Sequence, residues 1–175
     1  MPRATNTAYY STRQRLVLGE GVASDLTRRV FSAIHVGAYV EACEVLRIAM
    51  SPQVHAQGDL LGALTLSIAS AALKAGHDRA KVIEWLPDLP DRISEEALHA
   101  HVAAARDHGR LLVLYAGPSG RSLIELLPIG LFGNLLAGAN WNRDGSPTTL
   151  RLDRVEAAIV LKSGSANCTN CRGRS

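Results

Sequence analysis

The 175-residue chain has few aromatic side chains: Phe, Trp and Tyr together make up 5% of it. Its core must therefore be filled by aliphatic residues, which dominate the 47% hydrophobic fraction. Ala and Leu are the strongest helix formers, so we predict a helical part with close contacts between small side chains. The composition is that of a folded globular chain, long enough for one compact domain or two small ones. Trp85 and Trp141 are expected to be core or interface anchors.

Cysteine is also scarce, with three in the chain, and nothing in their placement indicates a disulfide framework. Cys43 is predicted to be buried, whereas Cys168 and Cys171 form a CxxC pair near the end. A structural zinc site needs about four ligands, and neither a second CxxC nor a histidine pair lies nearby. His99 and His101 are two positions apart on a predicted helix and face different directions. We therefore predict no bound metal and no cofactor.

Long hydrophobic runs are missing as well. The most apolar window, residues 60–73, is interrupted by Gly, Thr and Ser and is shorter than the roughly 20 residues that span a bilayer. The first residues are polar and lack the apolar stretch of a signal peptide. We therefore expect a cytoplasmic protein with no membrane partner.

Catalytic motifs are missing too. The sequence has no Gly-x-Ser-x-Gly and no phosphate-binding loop. No nucleophile or metal motif has the spacing that its chemistry requires. We therefore predict that the chain is not an enzyme.

Neither sign of charge dominates, because 19 Lys and Arg face 16 Asp and Glu, for a net charge of +3. A balance this mild does not require a nucleic-acid partner. Basic residues are concentrated near both ends of the chain. They either contact phosphates or only keep mobile ends soluble.

Helical periodicity fills the middle of the chain. Leu26, Val30 and Ile34 recur at every fourth position and predict a first helix. Further helices are predicted at residues 38–49, 56–75, 79–85 and 95–108. The third is apolar nearly all round, which is typical of a central, buried helix. Asp78 and Ser94 are predicted to cap the last two helices.

The periodicity changes after Gly109. Strands are predicted at residues 110–115, 121–127, 135–141, 148–152 and 155–161. Turn sequences separate them, the strongest at Asn142-Arg143-Asp144-Gly145. Five short strands with tight turns are typical of a small closed barrel. The predicted fold class is α+β: an N-terminal helical bundle of four to five helices at 21–108, then a five-stranded β-barrel at 109–162. Residues 1–20 and 163–175 are predicted to be flexible.

Residues 109–162 resemble the WYL domain, a small Sm/SH3-like barrel of bacterial regulators. The resemblance rests on a first strand that ends in Tyr115, on Pro128-Ile129-Gly130 after the second strand, and on the run Leu-Arg-Leu-Asp-Arg-Val at 150–155. Asn134-Leu135-Leu136 stands where the family has its Trp-Tyr-Leu signature.

The resemblance implies a non-enzymatic regulatory or binding module in transcription regulation or in a phage or mobile-element function. It would recognise single-stranded nucleic acid, a nucleotide or a partner protein. The residues expected to form its binding surface are Arg121, Arg143, Arg151, Arg154, Phe132 and Asn134. For the arginines, the alternative is an internal ion pair or a solvated surface position. The alternative function is a protein–protein assembly subunit that forms a homo-oligomer, such as a homodimer, through its helices and binds no small ligand.

Overall fold

A computed structural model describes residues 20–50 and 58–162. Within these residues, five α-helices precede five β-strands. The helices are α1 (Glu20–His35), α2 (Tyr39–Ala49), α3 (Gly58–Lys74), α4 (Arg79–Trp85) and α5 (Glu95–His108). The strands are β1 (Gly109–Gly117), β2 (Gly120–Phe132), β3 (Leu135–Asn140), β4 (Ser146–Arg151) and β5 (Val155–Lys162). The predicted α+β class, with helices first and strands after them, is confirmed. The segments predicted to be flexible lie almost entirely outside the described residues.

Two helices begin at the predicted capping residues. The Asp78 carboxylate accepts a hydrogen bond from the backbone N–H of Lys81 at 3.3 Å, and the Ser94 hydroxyl accepts one from Ala97 at 3.2 Å. Each cap satisfies an N–H group that the first helical turn leaves without a partner. No helix of residues 20–50 and 58–162 combines the length and the apolar character needed to cross a bilayer.

The third helix is central and buried, as predicted. Leu61, Leu66 and Ile68 are fully buried, and α3 packs against β1 and β5. A Cβ atom at Gly62 would lie 2.9 Å from the Cβ of Ala157 on β5. Because that distance is shorter than real contacts allow, the glycine lets α3 lie directly on the sheet. The first four helices therefore share a hydrophobic core with one face of the sheet, while α5 forms a second core with the other face. A division at residue 108 into two domains stays a prediction.

The strands form one antiparallel sheet in the order β4-β3-β2-β1-β5, which leaves β4 and β5 as its edges. The sheet is strongly curved. The Tyr115 hydroxyl of β1 lies 3.4 Å from the backbone N of Arg151 on β4, although three strand spacings would separate them by about 14 Å in a flat sheet. The closed barrel that the sequence predicts is not confirmed, because β4 and β5 do not pair. Residues of α5 fill the curve instead, among them Leu98, Val102 and Ala105.

The second strand is longer than predicted. Residues 121–127 were expected to end at a bend, but β2 continues through Pro128 and Gly130 to Phe132. A β-bulge makes this continuation possible, because the register with β3 shifts between Pro128 and Gly130 and leaves Ile129 as the extra residue. A Cβ atom at Gly138 on β3 would lie 2.5 Å from a backbone oxygen of β2. The two strands can therefore approach this closely only with glycine there.

Candidate functional site

A cleft of about 370 Å³ lies between the start of α5 and the turn that joins β2 to β3. Its apolar lining consists of Ile93, Leu98 and Leu152, and its polar lining consists of Arg92, Glu95, Asn134 and Asp153. Small-molecule sites have volumes of about 300–1,000 Å³ and combine an apolar surface with a few convergent polar groups. The cleft therefore has the volume of a small-ligand site, with an open and largely polar lining.

Backbone hydrogen bonds hold the walls of the cleft together. The N–H of Leu152 donates to the carbonyl of Asn134 at 3.0 Å, which joins the turn after β4 to the turn after β2. The N–H of Ile93 donates to the carbonyl of Glu156 on β5 at 2.9 Å. The Arg92 guanidinium also donates to the backbone oxygen of Asp153. Three segments that are distant in sequence are thereby fixed around one opening.

The N-terminal end of α5 is fixed from the opposite side by Asp59 of α3. The Asp59 carboxylate accepts hydrogen bonds from the backbone N–H of Ser94 at 2.8 Å and from its hydroxyl at 2.9 Å. Farther along α5, burial lowers the pKa of His101, and the nearby Asp59 carboxylate opposes part of that effect. The cleft wall formed by Glu95 and Leu98 is therefore anchored to the helical core.

The charged groups beside the cleft are arranged around the carboxylate of Asp153. Arg151 binds its carboxylate with both nitrogens of a guanidinium fork, Nη2 to Oδ2 at 2.7 Å and Nε to Oδ1 at 3.0 Å. This hydrogen bonding lowers the pKa of Asp153 and raises the pKa of Arg151, and the positive charge of Arg154 lowers the pKa of Asp153 further. Arg92, Arg151 and Arg154 bring three positive charges to this region against the carboxylates of Asp153 and Glu95. Because Arg151 and Asp153 neutralise each other, the balance is Arg92 and Arg154 against Glu95, a net charge of +1.

Of the predicted site residues, Asn134 lines the cleft, while Arg151 at the end of β4 and Arg154 at the end of the 3-10 turn Leu152–Arg154 flank the lining residue Asp153. Arg151 and Arg154 belong to the run 150–155 that carries the family resemblance, whereas Asn134 belongs to the tripeptide that replaces the family signature. Whether these residues bind a ligand stays a prediction. The other three predicted residues lie elsewhere.

Arg121 is engaged inside the protein. Its Nε lies 2.9 Å from Oε2 of Glu156, and its terminal nitrogens donate to the carbonyls of Leu86 at 3.3 Å and Pro87 at 3.0 Å. Its side chain is only 19% exposed. The guanidinium therefore connects β2, β5 and the loop after α4, and its donors are not directed outward. A ligand contact for Arg121 stays a prediction.

Phe132 and Arg143 lie away from the cleft. Phe132 is 60% exposed and pairs across the strands with Leu135. Its neighbour Leu131 packs into the core around α5 instead. Because side chains alternate along a strand, Phe132 points to the opposite face of the sheet. Arg143 is exposed at the end of the 3-10 turn Trp141–Arg143.

No sequence pattern indicates Arg92, Ile93 and Glu95 as site residues. They occupy a loop and the first turn of a helix, and contacts with Glu156, Asp153 and Asp59, all distant in sequence, hold them at the cleft. Local sequence patterns do not indicate such contacts.

Cys43, the cysteine within the described residues, is buried as predicted. Burial raises the pKa of its thiol to about 11, against a smaller opposite effect of Arg47. The thiol is therefore protonated at neutral pH and unsuited to nucleophilic chemistry. Among the described residues, no group of three or more His, Cys, Asp or Glu side chains is placed to hold a metal ion. The absence of a metal and a cofactor stays a prediction.

No family model matches the chain, and the curated proteins give no match. Three chains of solved structures do match it. One is the proteasome accessory factor B/C (PafBC) of Arthrobacter aurescens, with 18% sequence identity and a TM-score of 0.32 over 79% of this chain. The match covers 22% of that chain, so this protein spans about a fifth of its length. A similarity with so low a TM-score carries no conclusion about the fold or the function.

Proposed function

We propose that the chain is a non-enzymatic regulatory or binding module of the WYL type, with its ligand site in the cleft at the start of α5. One observation carries the proposal. Residues 134–136 stand where WYL domains have their signature, residues 150–155 form the closing run, and both segments border this cleft through Asn134 and Asp153. The hydrogen bond from Leu152 to Asn134 joins them directly.

The ligand that the cleft fits best is a nucleotide or one nucleotide unit of a single strand. The guanidinium groups of Arg92, Arg151 and Arg154 supply positive charge for a phosphate. The apolar lining of Leu98 and Leu152 offers a surface for a base. At about 370 Å³, the cleft is at the small end of the range for ligand sites. The setting that accords with such a module is transcription regulation or a phage or mobile-element function.

The test is the double variant Arg151→Gln/Arg154→Gln, assayed by fluorescence anisotropy with a labelled single-stranded oligodeoxynucleotide at several salt concentrations. We expect weaker binding because two phosphate partners are lost. Each phosphate contact to a single strand contributes about 0.7 to the slope of log K against log salt, so the slope should fall by about 1.4.

The matched control is Arg29→Gln/Arg106→Gln, which removes the same charge from exposed positions on α1 and α5. It should leave the slope unchanged. The nucleic-acid version is wrong if the unmodified chain does not bind the oligonucleotide, or if both double variants weaken binding equally.

The second candidate is the assembly subunit that associates through its helices. Exposed apolar side chains on the helical part favour it: Phe31 is 48% exposed, Val40 44% and Ile48 67%. Dimerisation that depends on Ile48, together with no binding of a nucleotide or single strand, would support this function over the first.

A further inference from the structure

One face of the sheet, the face that packs against α3, is covered by helices over only part of its width. On β1 and β5, the side chains of Leu112, Leu114 and Ala157 pack into the core beneath α3. Toward β2 and β3, the same face carries large apolar side chains that are 37–61% exposed. We call this region the β2–β3 apolar face, and it consists of Leu127, Ile129, Phe132, Leu135 and Trp141.

The strand register places these side chains together. Phe132 pairs directly with Leu135, whereas the adjacent pair Leu131 and Leu136 packs into the core around α5. Cross-strand partners lie on the same face, so Phe132 and Leu135 both point outward. Ile129 is the extra residue of the bulge and is 61% exposed. The bulge therefore leaves an exposed apolar side chain without a cross-strand partner, next to Gly130 of the same strand.

Trp141 extends the face past the end of β3. The guanidinium of Arg110 lies 4.8 Å from the centre of its ring, and the same guanidinium pairs with Glu125 at 3.4 Å. Glu125 precedes Leu127 by two positions on β2 and so shares its face. The tryptophan ring, the ion pair and the apolar residues of β2 therefore form one continuous surface.

We propose that the β2–β3 apolar face binds the same face of a second copy of the chain in a two-fold homodimer. Phe132 and Trp141, at 60% and 52% exposure, leave roughly 170–280 Å² of aromatic surface, and the three exposed aliphatic side chains add to it. One side of a standard interface buries about 800 Å², and about 65% of a homodimer interface is apolar. The face therefore provides a large part of the apolar area that one side of a stable dimer needs.

The shape and the charge of the face also fit a second copy. The small residues Gly130 and Ala137 form a cross-strand pair next to Phe132 and Leu135, and the Phe132 ring lies over Gly130. A two-fold axis can bring this surface against the same surface of a second copy, as a self-complementary interface requires. Two ion pairs border the face, Arg110 with Glu125 and Arg151, the cross-strand partner of Leu135, with Asp153, and each pair is internally neutral. Two copies therefore meet without like-charge repulsion.

The exposed apolar residues of α2 are less suited to this role. Val40 and Ile48 are two helical turns apart, and the exposed carboxylate of Glu44 lies midway between them, paired with Arg47. Burial of that stripe would require the desolvation of a charge at its centre. On the sheet face, the Arg110 and Glu125 pair is already largely shielded, with side chains 33% and 17% exposed, so less charge is left to desolvate. The face lies on the opposite side of β2 and β3 from Leu131 and Leu136, which support the cleft, and Arg151 borders it as the cross-strand partner of Leu135.

The test is sedimentation velocity of the full chain over a wide concentration range, with Phe132→Ser as the central variant. Removal of a central aromatic anchor weakens a typical interface by about 30-fold or more. Because two-fold symmetry applies the loss twice, we expect the dimer dissociation constant to rise by roughly 100- to 1,000-fold. Ile48→Ser removes an equally exposed apolar side chain from α2 and should leave the constant unchanged.

Ile129→Glu is a second variant at the most exposed position of the face, where a polar residue costs the fold least. It should also abolish the dimer, and circular dichroism should show that both variants stay folded. The proposal is overturned if the unmodified chain is a monomer at every concentration. It is equally overturned if Ile48→Ser dissociates the dimer while the folded sheet-face variants do not.

Discussion

Replacement of Arg121 by glutamine measures how strongly the sheet depends on one guanidinium near the turn between β1 and β2. Arg121 and its partner Glu156 each have side chains that are 19% exposed, and the two groups are 2.9 Å apart. The same guanidinium donates to the carbonyls of Leu86 and Pro87. Arg121→Gln therefore leaves a carboxylate without its counter-ion and two carbonyls without a donor.

The expected loss follows from the burial of the pair. Removal of one partner from a fully buried ion pair costs about 3–5 kcal/mol, whereas exposed pairs contribute about 0–1 kcal/mol. Because the side chains of Arg121 and Glu156 are about one-fifth exposed, we expect the free energy of unfolding to fall by about 2–3 kcal/mol. With a urea m-value of about 2 kcal/mol per molar, the unfolding midpoint should fall by about 1–1.5 M.

Urea unfolding followed by circular dichroism measures this change. Arg121→Gln/Glu156→Gln should be more stable than Arg121→Gln alone, because the unpaired charge is then gone. Arg151→Gln is the control, because it breaks an ion pair whose side chains are 52% and 42% exposed. If Arg121→Gln lowers the midpoint no more than Arg151→Gln does, the guanidinium of Arg121 is solvated in the folded chain and the structural role assigned to it is wrong.

Two further perturbations test the packing of α5 and of the sheet. Burial lowers the pKa of His101 from 6.5 against the smaller effect of Asp59, so the unfolded chain binds the proton more readily. Stability is then fully present above pH 6.5 and is lost as the pH falls toward the folded pKa. His101→Gln should flatten that part of the urea-midpoint profile, whereas His99→Gln, at an exposed position, should not; equal profiles would contradict the assignment. Gly138→Ala should cost about 1–3 kcal/mol in thermal unfolding, because its Cβ would meet a backbone oxygen at 2.5 Å. Gly117→Ala meets backbone only at 3.4 Å and should cost clearly less, so equal losses would refute this explanation.

The helices were predictable because their signals are local. A four-residue apolar period and the caps at Asp78 and Ser94 located them to within a few residues. Such signals involve positions close in sequence, so they do not depend on which other element the helix packs against. The third helix was also predicted as central, because a helix that is apolar on every side has no polar face to expose to solvent.

The number and approximate positions of the strands were predictable, but the shape of the sheet was not. Turn residues such as Asp144 and Gly145 marked where strands reverse, and all five predicted strands are present. The continuation of β2 past Pro128 depends on a register shift against β3, which is a contact between strands and not a property of either one. In the same way, α5 fills the curve of the sheet, and no local pattern in the strands shows that a helix takes that space.

The candidate site was predictable only in part, for the same reason. Asn134, Arg151 and Arg154 were identified through motifs and lie together. Arg121 belongs to the same set by residue type and strand position, yet the structure engages it with Glu156 and two loop carbonyls. An arginine on a strand carries the same sequence signal whether it meets a ligand or an internal carboxylate, so only tertiary contacts decide between them.

Both proposals involve the hairpin of β2 and β3, and the alternation of side chains along its strands allows them to be tested separately. Leu131 and Leu136 point toward α5 and support the wall of the cleft, whereas Phe132 and Leu135 point away from it. Asn134 lies in the turn between them and belongs to the cleft alone. Phe132→Ser should therefore dissociate the dimer and leave oligonucleotide binding intact, while Arg154→Gln, which leaves Arg151 beside Leu135 unchanged, should weaken oligonucleotide binding and leave the dimer intact. If both variants changed both properties, the two faces of the hairpin would be energetically coupled, and the dimer would then be a means by which the ligand is sensed.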